Sequence, residues 1–180
     1  IVLSFPMTKD QNALEQVMEE NAKIVCDLLK QGKRLAFLTI GDPAVYATYM
    51  YLQRRVRELG GKAQMISGVP SFCAVAAKLG ISLGEQEEEV HVIQASYEIS
   101  HTMQYRGTRI YMKAGRKLEN LCEMLAREQE EREKQGEMLQ VYAVSDCGLT
   151  GEKIMYGLEE LKHSGYLTVV IVKIVKKMSR

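Results

Sequence analysis

The sequence predicts an α/β fold built on a mainly parallel sheet. Three observations carry this. Amphipathic helical segments alternate with short apolar runs through the first 80 residues. The run at 34–40 is short and mostly apolar, as expected of a buried parallel strand. The terminal run at 166–175 is rich in β-branched residues, which favour strands.

The elements follow in order. Residues 12–30 read as an amphipathic helix, with Leu14, Val17, Met18, Val25, Leu28 and Leu29 at helical spacing and Gly32 as its stop. "RLAFLTI" (34–40) reads as a strand, 44–59 as a helix closed by Gly60-Gly61, and "KAQMIS" (62–67) as a second strand. "SFCAVAAKLG" (71–80) is a helix of small residues. The order helix, strand, helix, strand, helix is that of an α/β layer. "GEQEEE" (84–89) is acidic and exposed in character and marks a boundary or linker, ahead of the apolar "VHVIQA". In the second half, 108–112 reads as a strand, 117–135 as a long charged helix, 138–144 as a strand and 145–151 as a loop. A helix at 152–163 and the terminal strand complete the chain. The division this predicts is 1–86 and 87–180.

Composition excludes several classes. The formal net charge of +1 gives no electrostatic pull toward nucleic acid. No apolar run approaches the roughly 20 residues of a membrane span. Cys26, Cys73, Cys122 and Cys147 form no C-x-x-C pair and read as reduced thiols. His91, His101 and His163 lack metal-ligand spacing, so no metal site is expected. No signal peptide is visible, and the start at Ile1 without an initiator Met reads as a fragment. The expected location is cytoplasmic.

Two corners stand out. At Gly41-Asp42-Pro43, Gly permits a tight turn, Asp is a favoured N-cap and Pro suits the first helical position. Those preferences explain the tripeptide as a simple cap. The same corner, beyond the carboxyl end of a strand, also suits a small polar ligand. No G-x-x-x-x-G-K-[ST] or G-x-G-x-x-G accompanies it, so a nucleotide phosphate is not the indicated guest. "SGVPSFCAVAA" (67–77) makes a second corner of the same kind, with Ser71 placed to cap the following helix.

"FLTIGDPAVYATYMYL", "SGVPSFCAVAAKLGISL" and "DCGLTGEKI", in this order, resemble the tetrapyrrole methylase family across nearly the whole chain. "YATY" (46–49) resembles the branch that methylates precorrin-2 at C-20 in corrin synthesis. Met112-Lys113 and "YLTVVIVK" also fit. The resemblance implies a two-domain fold with mixed, mostly parallel sheets flanked by helices, and S-adenosylmethionine (SAM) in the cleft between domains. The family's first strand and glycine-rich loop are missing here, which implies a truncated enzyme whose activity alone is not to be assumed. Position by position, Gly41, Asp42, Val45, Ser71, Met112 and Gly148 match SAM-contacting positions. Tyr46, Thr48, Tyr49 and Lys113 are candidates for the substrate side, with Tyr46 and Tyr49 lying along the macrocycle or, for one of the two, simply packing. Where the family reads Pro-Gly-Val-Thr, this chain reads Ser67-Gly68-Val69-Pro70, which removes a hydroxyl and a backbone N–H at position 70.

The implied reaction is methyl transfer from SAM, leaving S-adenosylhomocysteine, to a meso carbon of a tetrapyrrole with or without cobalt. SAM carries an activated methyl and the macrocycle is the nucleophile, so no catalytic base is assigned. Positioning is the enzyme's main task and is worth up to about 7–11 kcal/mol. Arg54, Arg55, Lys78, Arg106 and Lys113 are the cations available for substrate carboxylates, or simply solvated surface. The family commonly forms homodimers. Two alternatives remain open: another branch, including one resembling diphthine synthase, and a non-catalytic α/β ligand-binding module in which both corners only cap helices.

Overall fold

The computed structural model describes residues 1–6, 8, 10–161, 165 and 167–176. Of the expected elements, the end of the 152–163 helix with His163, and Tyr166 of the terminal strand, lie outside the described residues. The chain forms two compact units, Ile1–Pro70 and Ser71–Arg180.

The first unit is held by two helices. α1 spans Gln11–Lys30, and Asp10 caps it by accepting hydrogen bonds from the backbone N–H groups of Asn12 and Ala13. α2 spans Tyr49–Glu58. Met18, Ala22 and Cys26 of α1 pack on Leu52 and Val56 of α2, with Leu3, Phe5, Val25 and Leu29 around them. The helical spacing of the first element is therefore borne out.

The two strands expected in this unit do not form. Residues 34–40 and 62–67 make no sheet ladder. Leu38, Ile40 and Ile66 are 89%, 88% and 84% exposed. A parallel strand is stable only with hydrogen-bonded neighbours, and an apolar run alone cannot supply them. The helix expected from residue 44 starts at Tyr49, because a tight turn occupies 42–45.

The second unit is built on a five-stranded sheet. α3 spans Ser71–Leu79, β1 Val90–Gln94, β2 Thr108–Met112, α4 Leu118–Lys134, β3 Glu137–Ser145, β4 Lys153–Tyr156, α5 Gly157–Glu160 and β5 Thr168–Lys176. The strand order is β1-β2-β5-β3-β4. Only β1 and β2 pair in parallel; β2–β5, β5–β3 and β3–β4 are antiparallel. The sheet is mixed, as expected, but its parallel share is smaller than the apolar runs suggested. A continuous apolar strand reports burial on both faces, and burial does not fix direction.

Alternation along the strands divides the core. Leu139, Val141 and Ala143 of β3 and Val170 and Val172 of β5 face Leu118, Leu121 and Leu125 of α4. Burying each such side chain contributes roughly 1.5–3 kcal/mol. α3 packs on β3 and β5. The helix expected at 152–163 is replaced by β4 and the short α5. "KIMY" has an apolar pattern that suits either element, and pairing of Lys153–Tyr156 with Tyr142–Ser145 decides for strand.

A chain of charges crosses the α4 face. Arg109 is fully buried and forks onto Glu128 at 2.7 and 3.0 Å. Arg132 bridges Glu128 at 3.0 Å and Glu137 at 2.7 Å, and Arg106 reaches Glu137 at 3.1 Å. Burial alone lowers the Arg132 pKa, but the carboxylates of Glu137 and Glu128 outweigh it and raise it. The network ties β2, α4 and the start of β3 in one register.

Candidate active site

In the first unit the Gly41-Asp42-Pro43 corner is more than a helix cap. The Asp42 Oδ1 accepts from the Ala44 N–H at 2.8 Å, a local turn of the kind Asp favours. Its Oδ2 accepts from the Ser67 hydroxyl and the Gly68 N–H, each at 2.8 Å. Val45 N–H donates to the Asp42 carbonyl at 3.2 Å and closes the turn. Asp42 does not cap α2, which begins at Tyr49, so the expected capping role is corrected. Its buried carboxylate joins the two glycine corners instead.

That junction fixes the glycines. Gly41 has φ +83°, in the left-handed region. A methyl group at Gly68 would lie 2.2 Å from the Gly41 carbonyl oxygen. Only glycine permits that approach. Hydrogen bonds from Ala44, Ser67 and Gly68 hold the Asp42 carboxyl below the usual carboxylate range.

The residues after the corner take different parts. Tyr46 sits at φ +50° and is 43% exposed. A tyrosine in this region is strained, and such strain collects at binding and catalytic sites. Val45 is half-buried, and Thr48 is exposed at the start of α2 without a side-chain cap. Tyr49 packs within the unit: its ring lies 5.3 Å from that of Phe37, and its hydroxyl donates to the Gln64 carbonyl.

In the second unit the sheet gathers Met112, Lys113 and Gly148 on one rim. β2 and β3 flank the antiparallel β5, so they run in the same direction. Their carboxyl ends, Met112 and Ser145, therefore meet the start of β5 at Thr168. Ligands of α/β sheets bind outside such carboxyl ends. The Met112 carbonyl accepts from Ala95 N–H at 2.9 Å, and Ala114 N–H donates to the Thr168 carbonyl at 3.4 Å. Lys113, between them, has φ +56°. The hydroxyls of Ser145 and Thr168 lie 2.6 Å apart and are buried.

The loop after β3 turns sharply. Asp146, Gly148 and Gly151 have φ +50°, +77° and +93°. Beyond its chain neighbours, Gly148 has no atom within 4 Å of where a Cβ would lie, and it is exposed. Its N–H donates to Glu152 Oε2 at 2.7 Å, and Lys78 Nζ of α3 lies 3.0 Å from Glu152 Oε1. The Gly148 N–H and the Lys78 ammonium hold the Glu152 carboxyl below its ordinary range. Burial, reinforced by the neighbouring Glu152 charge, pushes the Cys147 thiol up.

Gly41, Asp42, Val45, Tyr46, Thr48 and Tyr49 thus belong to the first unit, and Ser71, Met112, Lys113 and Gly148 to the second. Met112, Lys113 and Gly148 share the rim; Ser71 opens α3, half-buried. Of the cations read as substrate partners, Arg55 pairs with Glu58, Arg106 with Glu137 and Lys78 with Glu152. Sequence reasoning missed the parts of Ser67, Ser145, Asp146, Glu152 and Thr168. Ser67, Asp146, Glu152 and Thr168 stand inside "SGVPSFCAVAAKLGISL", "DCGLTGEKI" and "YLTVVIVK", and those segments were the available signal. Among the described residues no cluster of His, Cys, Asp or Glu could hold a metal ion.

Comparisons with known proteins bear on the fold and the family. The fold matches the crystal structure of a cobalt precorrin-4 methyltransferase, with TM-score 0.72, 16% identity and coverage of 87% of this chain and 70% of that one. It also matches a uroporphyrin-III C-methyltransferase from Thermus thermophilus complexed with S-adenosylhomocysteine, with TM-score 0.59, 14% identity and coverage of 86% and 74%. In sequence, the chain is 29% identical over 179 residues to a probable cobalt-precorrin-2 C(20)-methyltransferase of Methanocaldococcus jannaschii, covering 97% of this chain and 73% of that protein. It is 26% identical over 160 residues to the cobalt-precorrin-2 C(20)-methyltransferase of Salmonella typhimurium, covering 87% of this chain and 64% of that protein. Fold and relatives together define the class, a SAM-dependent methyltransferase. The model of the tetrapyrrole (corrin/porphyrin) methylases matches residues 2–162, and the chain belongs to that family.

Proposed function

We propose that the protein methylates the C-20 meso carbon of precorrin-2 or its cobalt form, in cobalamin biosynthesis, with SAM as donor. The observation that carries this reading is the 29% identity to a probable cobalt-precorrin-2 C(20)-methyltransferase over 97% of the chain. "YATY" at 46–49 supports the same branch. A diphthine synthase of Metallosphaera sedula is 30% identical, but over only 70 residues and 39% of this chain. That local match supports the alternative substrate less well.

The rim fits SAM. Its left-handed Lys113, Asp146 and Gly148 present backbone groups beyond the strand ends, and Gly148 is exposed. Bound there, SAM supplies an activated methyl group on a sulfonium. In this reading the main chain at Met112 and Gly148 holds the adenosine, and Ser71 adds a polar contact. Gly41 and Val45 are further cofactor contacts. Asp42 contributes by shaping its corner, since both its oxygens are already engaged. Tyr46, Thr48 and Lys113 lie on the substrate side, with Tyr49 acting through packing.

No residue is asked to create a nucleophile. The electron-rich macrocycle supplies the attacking carbon, and the protein holds carbon, methyl and sulfur in line. Such orientation contributes up to about 7–11 kcal/mol. The reading includes a domain division at 86/87, a homodimer and a cytoplasmic location. The four free cysteines support a reducing compartment.

The test is incubation with methyl-labelled SAM and either precorrin-2 or cobalt-precorrin-2, followed by location of the label. Label at C-20 is expected. Label at another ring position, or transfer only to a protein acceptor, contradicts the branch assignment. A thermal shift with SAM separates every methylase reading from a non-catalytic module, which would show none.

A further inference from the structure

Resting on the function proposed above, we infer that Glu152 is a positioning residue for the cofactor contact at Gly148, and that Lys78 in turn holds Glu152. The loop that ends β3 is conformationally expensive. Three of its residues, Asp146, Gly148 and Gly151, lie in the left-handed region, and Asp146 does so without glycine's freedom. Its own backbone hydrogen bonds are short-range: Leu149 N–H to the Asp146 carbonyl at 2.8 Å and Glu152 N–H to the Leu149 carbonyl at 3.2 Å. Those close single turns and leave the direction of the Gly148 peptide unfixed.

Glu152 fixes it. One carboxylate oxygen accepts the Gly148 N–H at 2.7 Å, a charge-assisted bond; the other meets Lys78 at 3.0 Å. Lys78 comes from α3, so the pair anchors the loop to a helix packed on the sheet. The arrangement also selects what a ligand meets. The Gly148 N–H is spent on Glu152, so the loop offers carbonyl oxygens at its open glycine. Carbonyls recognise a donor such as the amino group of adenine. Lys78 is about half exposed, so its ion pair is screened and contributes less than the Gly148 bond.

The substitutions that test this are Glu152→Ala, Glu152→Gln and Lys78→Ala, with three readouts. These are amide exchange at Gly148, S-adenosylhomocysteine affinity by calorimetry, and the thermal midpoint. Glu152→Ala is expected to speed Gly148 exchange and weaken binding by about tenfold, the effect of losing one charge-assisted hydrogen bond. Glu152→Gln keeps an acceptor oxygen and recovers most of the affinity. Lys78→Ala weakens binding by about two- to threefold. A purely structural role would lower the thermal midpoint of Glu152→Ala and leave affinity within about twofold, and that result overturns the inference. So does unchanged Gly148 exchange. Wild-type protein that fails to bind S-adenosylhomocysteine contradicts the proposed function instead; in that sample, faster exchange in Glu152→Ala still supports the loop-holding role.

Discussion

Two regions with the same kind of sequence behave differently. "RLAFLTI" at 34–40 and "YLTVVIVKIV" at 166–175 are both apolar runs that read as strands; the described part of the second begins β5 at Thr168. The second lies between β2 and β3, bonded on both sides, with Val170, Ile171 and Val172 fully buried. The first makes no ladder, and Leu38 and Ile40 stay exposed. Strand propensity describes a surface able to join a sheet; the neighbours decide whether it does. Stability in the two units is therefore expected to rest on different things: packed strands and a charge network in the second, helix packing and one carboxylate junction in the first.

Substitutions can break that contrast. The largest effect is expected in the buried charge network. Glu128→Ala strands the fully buried Arg109 and is expected to cost about 3–5 kcal/mol by urea unfolding. A loss under 1 kcal/mol would mean that water reaches Arg109. Leu121→Ala, in the α4 core, is expected to cost about 2–5 kcal/mol. In the first unit, Gly68→Ala drives a methyl group against the Gly41 carbonyl and is expected to cost about 1–3 kcal/mol. It should also speed amide exchange at 42–45. At the small end, Leu38→Ala is expected to stay within about 0.5 kcal/mol of wild type. A larger loss would show that the 34–40 segment is packed after all.

Acid sharpens the comparison further. The Asp42 pKa is lowered in the folded protein, so its stabilisation is complete above the ordinary Asp pKa. It is lost as pH falls through the folded value. Protection of the amides of 42, 44–45 and 67–68, measured against their intrinsic exchange rates, should therefore fall on acidification. Asn in place of Asp42 should flatten that dependence while leaving the second unit's core amides unaffected.

Much of the second unit was legible in the sequence, because strands 108–112, 138–144 and the terminal run carry apolar residues that find partners. The helix of the first unit was legible from apolar spacing, and the 117–135 helix from its run of charges. β4 was not: four residues of mixed pattern fit helix or strand, and only pairing with β3 separates them. The GDP corner was half legible. Gly, Asp and Pro announced a turn, but the partners of Asp42 sit at Ser67 and Gly68, and no local rule predicts a bond across that separation. Tyr46 and Lys113 were read as site residues by resemblance alone. Their left-handed backbones, which support that reading, leave no mark on composition or periodicity. Glu152 lay in plain view inside a quoted motif, without a role until its carboxylate was seen across the loop.

The central claim is that the strand-end rim of the second unit receives SAM. Titrating S-adenosylhomocysteine into isotopically labelled protein, with backbone amide shifts followed residue by residue, tests it most directly. The account predicts saturable shifts centred on Met112, Lys113 and 146–149. Saturable binding that leaves those amides unmoved, or no binding at all, would contradict it.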